Sequence, residues 1–288
     1  MKHQGQAAKM SCSYVPAAPL SDYVNCFQLY GYDGVPEPAD DVSHGKEHVL
    51  PTGTTELVIN LHDDGLKLFN QQTHELQQAI PVAMVCGAHS EFFVIDATQT
   101  SAVLTVNFKP GGAFPFLGLP ASELYNQCVS LELLWGATAH ELREQLLAAM
   151  TPLLKFQLLE RYLLQRLAGS TQHHPAIGFA LHVFLSTPQS STISELSGQL
   201  GLSSRHFNRL FQHEVGMAPK VFCRVQRFQQ IIHQLRREQT VDWLDLALRC
   251  GYYDQAHFIH DFRAFCGLTP GMYLTQQGQQ LNHVPFPR

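Results

Sequence analysis

Hydrophobic spacing divides the chain into two textures. From about 46 to 112 the apolar residues fall in short runs broken by turn formers: ELVINLH (56–62), PVAMVCGAH (81–89), EFFVIDA (91–97) and SAVLTVNFKPGG (101–112). β-Branched and aromatic side chains in such runs favour strands, and a series of short strands separated by turn signals predicts a small barrel or sandwich. After about 120 the apolar positions recur at helical spacing. LELLWGATAHELREQLLAAM (131–150) and TPLLKFQLLERYLLQRLAG (151–169) each predict a helix, the second with Leu159, Tyr162, Leu163 and Arg166 on one side and Gly169 as its stop. Residues 1–45, with DGVPEPADD at 33–41, read as an arm or irregular connections, and GSTQHHP (169–175) as a linker. Everything beyond the linker reads as helices.

Within that helical region the same phrase occurs twice. SSRHFNRLFQHEVGMAP (203–219) and DQAHFIHDFRAFCGLTP (254–270) agree at His206/His257, Phe207/Phe258, Phe211/Phe262, Gly216/Gly267 and Pro219/Pro270. Most shared positions face a core or end a helix, while the solvent-facing ones differ. In the first copy Ile193, Leu196 and Leu200 mark a short helix, Gly201 a tight turn, and Ser203 an N-cap. Phe207, Leu210, Phe211 and Val215 then form a buried stripe, leaving Arg205, His206, Asn208, Arg209 and Gln212 outside. The second copy repeats the plan with Leu246, Ala247, Gly251, the cap Asp254, and buried Phe258, Phe262 and Phe265. Two short helices joined by such a turn form a helix-turn-helix, whose second helix fits a major groove. Residues 219–237 between the copies predict one helix of roughly 27 Å, from about 1.5 Å rise per residue. A rod of that length holds two readers about one DNA turn apart, roughly 34 Å. The phenylalanines common to both copies are core at this spacing rather than a stacking platform.

Charge sharpens this division. The net charge of −5 is unevenly spread: residues 192–275 hold nine Lys/Arg against seven Asp/Glu, a balance of +2, and the remainder ten against seventeen, a balance of −7. A polyanion is therefore expected only at the C-terminal end. With 45% hydrophobic and 15% charged residues, no apolar run of membrane length and no signal-peptide core near residue 1, the expectation is a cytoplasmic globular protein. Seven cysteines without a CxxC pair read as free thiols.

The stretches Leu196 to Pro219 and Leu246 to Tyr273, above all LALRCGYYDQAHFIHDFRAFCGLTP, resemble the AraC family of bacterial transcriptional regulators. The resemblance covers about residues 175–275 and implies promoter binding by both recognition helices. By motif position it implies base reading by Arg205, Asn208 and Arg209 in the first helix, and by Gln255, Ala256, Ile259 and His260 in the second. Arg can fork onto guanine and Asn onto adenine, whereas Ala256 and Ile259 offer only apolar contact. Many members carry Arg where His260 stands, so the second unit is expected to read more weakly or more by DNA shape. Ser203, Ser204, Lys220, Arg224 and Arg227 are candidates for phosphate positioning. PTGTTELVINL (51–61), NFKPGGAFPFLGLPASEL (107–124) and LELLWG (131–136) resemble the cupin-like sensor domain of one branch of these regulators.

The expected protein is thus α+β with two domains. Residues 1–168 would form an effector-binding or dimerising domain, with a cupin-like β-barrel over about 46–112 and a helical hairpin over about 120–168. A linker at 169–175, an all-α domain at 176–275 with two helix-turn-helix units on a linker helix, and a tail at 276–288 would follow. The partners implied are double-stranded promoter DNA and a small-molecule effector of undefined identity, with RNA polymerase and a second copy of the chain as further candidates. Leu153, Leu159, Tyr162, Leu163 and Leu167 fit either a dimer face or packing within one copy. The alternative is a cupin-type metal-dependent enzyme or small-molecule binder fused to helix-turn-helix units. Against the enzyme, the histidines of the strand region (His44, His48, His62, His74, His89) include no His-x-His, and no G-x-S-x-G, P-loop or HExxH motif occurs, so no cofactor or metal is expected. Lys109 in FKPGG belongs to a turn rather than a phosphate cradle. Cys86 and His89 either line a sensor pocket or mark a reactive thiol, with a buried structural cysteine as the plainer reading.

Overall fold

The computed structural model describes residues 11–31, 45–62, 65–96, 102–169, 173–186, 193–237, 241–278 and 281–285. The N-terminal half is built from strands β1 (Ser11–Tyr14), β2 (Val24–Tyr30), β3 (Lys46–Val49), β4 (Glu56–Asn60), β5 (Leu66–Phe69), β6 (Leu76–Ile80), β7 (Ala83–Cys86), β8 (Phe93–Asp96), β9 (Val103–Phe108) and β10 (Cys128–Ser130). They form two antiparallel sheets, β1-β2-β9-β4-β7-β10 and β11-β3-β8-β5-β6, where β11 is His283–Pro285. This corrects three expectations. The sheets face each other without closing into a barrel. Residues 11–30, expected to be irregular, supply two strands, and 283–285, expected to be tail, supply a third; Pro, Gly and Asp around them hid the short apolar alternation of VNCFQLY.

Period-two alternation gives the larger sheet two different faces. Phe27, Leu29, Leu57, Ile59, Val85, Leu104 and Val106 point one way and are buried with α1 (Phe114–Leu117), α2 (Leu131–Trp135), α3 (Thr138–Ala148) and α4 (Pro152–Leu167). Thr151 caps α4 by accepting from the Leu154 amide, with Pro152 in the first turn where no donor is needed. Of the residues weighed for a dimer face, Leu159, Tyr162 and Leu163 belong to this core and Leu153 is exposed. Gln28, Tyr30, Glu56, Val58, Met84, Thr105 and Asn107 alternate with the core set and face the second sheet across a cavity of about 430 Å³.

Cys86 and Cys128 are directly opposed in the β7–β10 pair and form a disulfide. The expectation of free thiols fails there because pairing brings together residues far apart in sequence, which no spacing motif announces. Cys12, Cys26, Cys223, Cys250 and Cys266 are not disulfide-bonded.

The helical half comprises α5 (Pro175–Ser186), α6 (Ile193–Gln199), α7 (Ser204–Val215), α8 (Pro219–Leu235), α9 (Trp243–Arg249), α10 (Gln255–Cys266) and α11 (Pro270–Thr275). Phe184, Phe207, Phe211 and Phe222 meet largely edge-to-face around α7, and Phe228, Phe258, Phe262 and Tyr273 do so around α10. Each such buried ring contributes about 1.5–3 kcal/mol, which settles these phenylalanines as core. Leu50, Ala88 and Val284 complete the same core from the sheet side. Among the described residues no helix is long and apolar enough to cross a membrane. Some of the expected linker (170–172), His44 and the stretch 33–41 lie outside the described residues.

Candidate nucleic-acid interface

Each recognition helix is fixed at both ends by local chemistry. Ser203 Oγ accepts from the His206 amide at 3.3 Å and opens α7; Asp254 Oδ1 accepts from the His257 amide at 2.7 Å and opens α10. Gly216 and Gly267 end them at φ of 94° and 76°, left-handed conformations that a β-carbon strains. The turns before them, at Gly201 and Gly251, also have positive φ.

The outer faces match the expected sets in position. On α7 Ser204, Arg205 and Arg209 are exposed, as is the capping Ser203, while Asn208 is half-buried and its Nδ2 donates to the Ser204 carbonyl at 2.8 Å. That bond occupies one of the two Nδ2 hydrogens and leaves the other, with Oδ1, for a base. Arg209 lies in a surface cleft with Ser122 and Glu123, beside the short 3-10 turn Ala121–Leu124. On α10 Gln255, Ala256 and His260 are exposed, Ile259 is half-buried, and Ile259, Ala256 and His260 border one shallow depression. Lys220 is exposed at the start of α8.

Arg224 and Arg227 have other partners in this structure. Asp261 on α10 is 1% exposed, and Arg224 grips it with Nε–Oδ2 at 3.2 Å and a second nitrogen–Oδ1 contact at 2.6 Å. That paired carboxylate raises the Arg224 pKa above its ordinary value. Arg227 donates to the Gly251 carbonyl at 2.9 Å and lies 5.0 Å over the Tyr252 ring. One arginine thus fixes α10 and the next, one turn along α8, fixes the turn in front of α10. Sequence reasoning missed this because the partner, Asp261, reads as one more solvent-facing acid; its burial becomes visible only when α8 crosses α10.

The helical half is also seated on the sheets. Gln229 Nε2 donates to the Pro51 carbonyl at 2.7 Å and to Asn282 Oδ1 at 2.9 Å, and Gln226 Nε2 to the Thr52 carbonyl at 3.0 Å. Glu214, buried on α7, accepts from His173 Nδ1 at 2.8 Å and from the His174 amide. Both helix-ending glycines lie against the N-terminal half. A β-carbon at Gly216 would come 3.2 Å from the Ala121 carbonyl oxygen and from Ala88 Cβ; one at Gly267 would come 2.7 Å from the Phe92 ring. His48 stacks on Phe92 at 4.3 Å and hydrogen-bonds the Cys266 carbonyl at 3.0 Å. Burial, the leading cause, lowers the His48 pKa. His89, one residue after Ala88, lines the cavity, and burial lowers its pKa to about 4. Among the described residues no three His, Cys, Asp or Glu side chains converge as metal ligands.

Two capped helix-turn-helix units on one spacer helix define the class of the C-terminal region. Residues 196–276 match the family described as helix-turn-helix domain, and residues 13–130 match a family described as a domain of unknown function (DUF6597). The matched C-terminal region is a helix-turn-helix domain. An uncharacterized HTH-type transcriptional regulator from Haemophilus influenzae is 35% identical over 95 residues, 33% of this chain; the match spans about a third of that relative's length (32%). Among solved structures, ToxT from Vibrio cholerae is similar at TM-score 0.45 and 13% identity, covering 81% of this chain and 95% of that one. The C-terminal domain of AraT, a response regulator from Geobacillus stearothermophilus, is similar at TM-score 0.35 and 19% identity, covering 38% and 92%.

Proposed function

We propose that this chain is a sequence-specific DNA-binding transcription regulator whose promoter contacts answer to a small molecule in the inter-sheet cavity. Arg205, Arg209 and Asn208 read bases from α7; Gln255, Ala256, Ile259 and His260 supply fewer and more apolar contacts from α10. Ser203, Ser204 and Lys220 position phosphates, and Arg227 reaches one only by giving up Gly251. One observation carries the link between cavity and DNA: the stretch after β7 turns His89 into the cavity and its neighbour Ala88 against the glycine that ends α7. Phe93 and Phe92 do the same at the second unit, Phe93 packing on His89 at 4.4 Å and Phe92 against Gly267. A ligand that moves these side chains biases both reading heads through the same short segment.

The cupin-type enzyme alternative needs a convergent ligand set, which the cavity's described residues do not assemble; a lining that mixes apolar side chains with hydrogen-bonding ones suits a small-molecule sensor. RNA polymerase and a second copy of the chain are the protein partners this reading anticipates. The test is selection of duplexes from a random pool by the full chain. Enrichment of a site spanning two successive major grooves is expected; recovery of unrelated sequences would overturn the proposal.

A further inference from the structure

The polar wall of the inter-sheet cavity is unevenly supplied with charge. Lys67 lies 3.9 Å from Asp96, and His283 Nδ1 lies 3.1 Å from Glu47 Oε2, so each cation has a carboxylate beside it. Glu56 has none: among the described residues no cation lies within ion-pair distance of its carboxylate, whose close polar neighbour is the Thr105 hydroxyl. Burial in this wall raises the Glu56 pKa, with His283 at longer range and Thr105 opposing. Behind Glu56 the other polar side chains satisfy one another. Tyr30 donates to Gln28 Oε1 at 2.6 Å, and Asn107 Nδ2 donates to Gln28 Oε1 at 3.1 Å and to Thr105 Oγ1 at 3.2 Å.

A second acceptor lines the same space. His89 is 95% buried, and its Nδ1 lies 2.6 Å from the Glu91 carbonyl, which can only accept. The Nδ1 proton is thereby assigned, and Nε2 is left as a lone pair. Thr52, Thr54 and Asn282 add neutral polar groups at the lining, and Val58, Leu66, Met84, Ile95 and Val103 make up much of its apolar part. An occupant must therefore bring hydrogen-bond donors, preferably a positive charge, on an apolar body small enough for about 430 Å³.

We infer that the cavity takes a small organic cation, an ammonium group on an apolar body, with Glu56 as its counter-ion and His89 Nε2 as a second acceptor. This rests on the reading of the cavity as the effector site and gives that site a ligand class. An ammonium ion supplies the missing partner and favours the charged form of Glu56, whereas a carboxylate ligand places two acidic groups in one poorly hydrated space.

The test uses the full chain and three probes sharing a phenyl body: phenethylamine, phenethyl alcohol and phenylacetate. Their effect on the melting temperature is read at equal concentration. Phenethylamine should raise it by several degrees, the alcohol by less, and phenylacetate not at all. Glu56→Gln, which keeps the shape and removes the charge, should abolish the advantage of the amine over the alcohol. Equal or larger shifts with phenylacetate overturn the inference, as does an amine advantage that survives Glu56→Gln. Should Glu56→Gln not fold, the ranking of the three probes on the parent protein decides by itself. Duplex selection without ligand reports on the DNA-binding proposal separately, so either can fail while the other stands.

Discussion

The two helix-turn-helix units share a plan and differ in how they are held. Both rest on the sheet half through their ends, at Gly216 and Gly267, and the first adds Glu214, in the last turn of α7, bound to His173. The second is held through its middle as well, where Asp261 is clamped by Arg224 and the preceding turn by Arg227. The outer faces differ in the opposite sense. α7 exposes two guanidinium groups, Arg205 and Arg209, whereas α10 offers Gln255, Ala256, Ile259 and His260. The second unit, whose expected readers are the weaker, is the one locked onto the spacer. Under the proposed DNA reading, discrimination falls to the first unit and placement on the duplex to the second.

This contrast can be broken most forcefully at the clamp. Arg224→Ala leaves the Asp261 carboxylate buried without its partner and should destabilise the protein by about 3 kcal/mol, the low end for a broken buried pair because Arg224 is partly exposed. Chemical denaturation measures this, and a loss close to that of Arg205→Ala would show that the clamp holds nothing. Arg209→Ala should leave stability unchanged and cost about 1–3 kcal/mol of specific binding, with relaxed preference at one base pair. An equal loss on random DNA would assign Arg209 to phosphate contact. His260→Ala should cost clearly less than Arg209→Ala in the same binding measurement; a larger cost would invert the assignment of roles.

Acidification probes the segment that both units touch. The His89 pKa lies below its unfolded value, so the unfolded chain binds the proton first. The stability contributed by neutral His89 is whole above about pH 6.5 and is lost as pH falls toward about 4, on the order of 2 kcal/mol by pH 5. Glu56, shifted the opposite way, counters some of this. The difference between the parent and His89→Gln isolates the histidine; parallel stability curves for the two from pH 7 to 5 would remove it as the cause. The smallest expected effect is on salt dependence. Arg227→Ala should lower the slope of log affinity against log salt by about one unit if Arg227 leaves Gly251 for a phosphate on binding, and an unchanged slope leaves it as a support of the turn.

Much of the reading surface is legible in the sequence. Ser203, Asp254, Gly216 and Gly267 are local devices whose meaning is carried by their neighbours in the chain, and the phenylalanines shared by the copies show the buried side of each helix directly. What the sequence conceals is relational. Asp261 is a solvent acid until α8 crosses it, Cys86 a lone thiol until β10 pairs with β7, and Glu56 a strand residue like any other until a second sheet shuts it in. Residues 11–30 failed for another reason: strands this short, beside Pro-rich and Asp-rich turns, carry too little alternation to stand out. The open arrangement of the sheets, in place of the expected barrel, depends on which edges pair, and spacing along the chain does not encode edge pairing.

The pairing of β11 with β3 has a consequence for how the molecule is made. During synthesis Lys46–Val49 leaves the ribosome long before His283–Pro285 exists, so one margin of the smaller sheet stays unzipped while both helix-turn-helix units emerge. Asn282, which joins Leu50 to the Gln229 amide, arrives equally late. A nascent chain therefore carries an open sheet margin, a template for its neighbours on the same messenger, until residues 283–285 have been made.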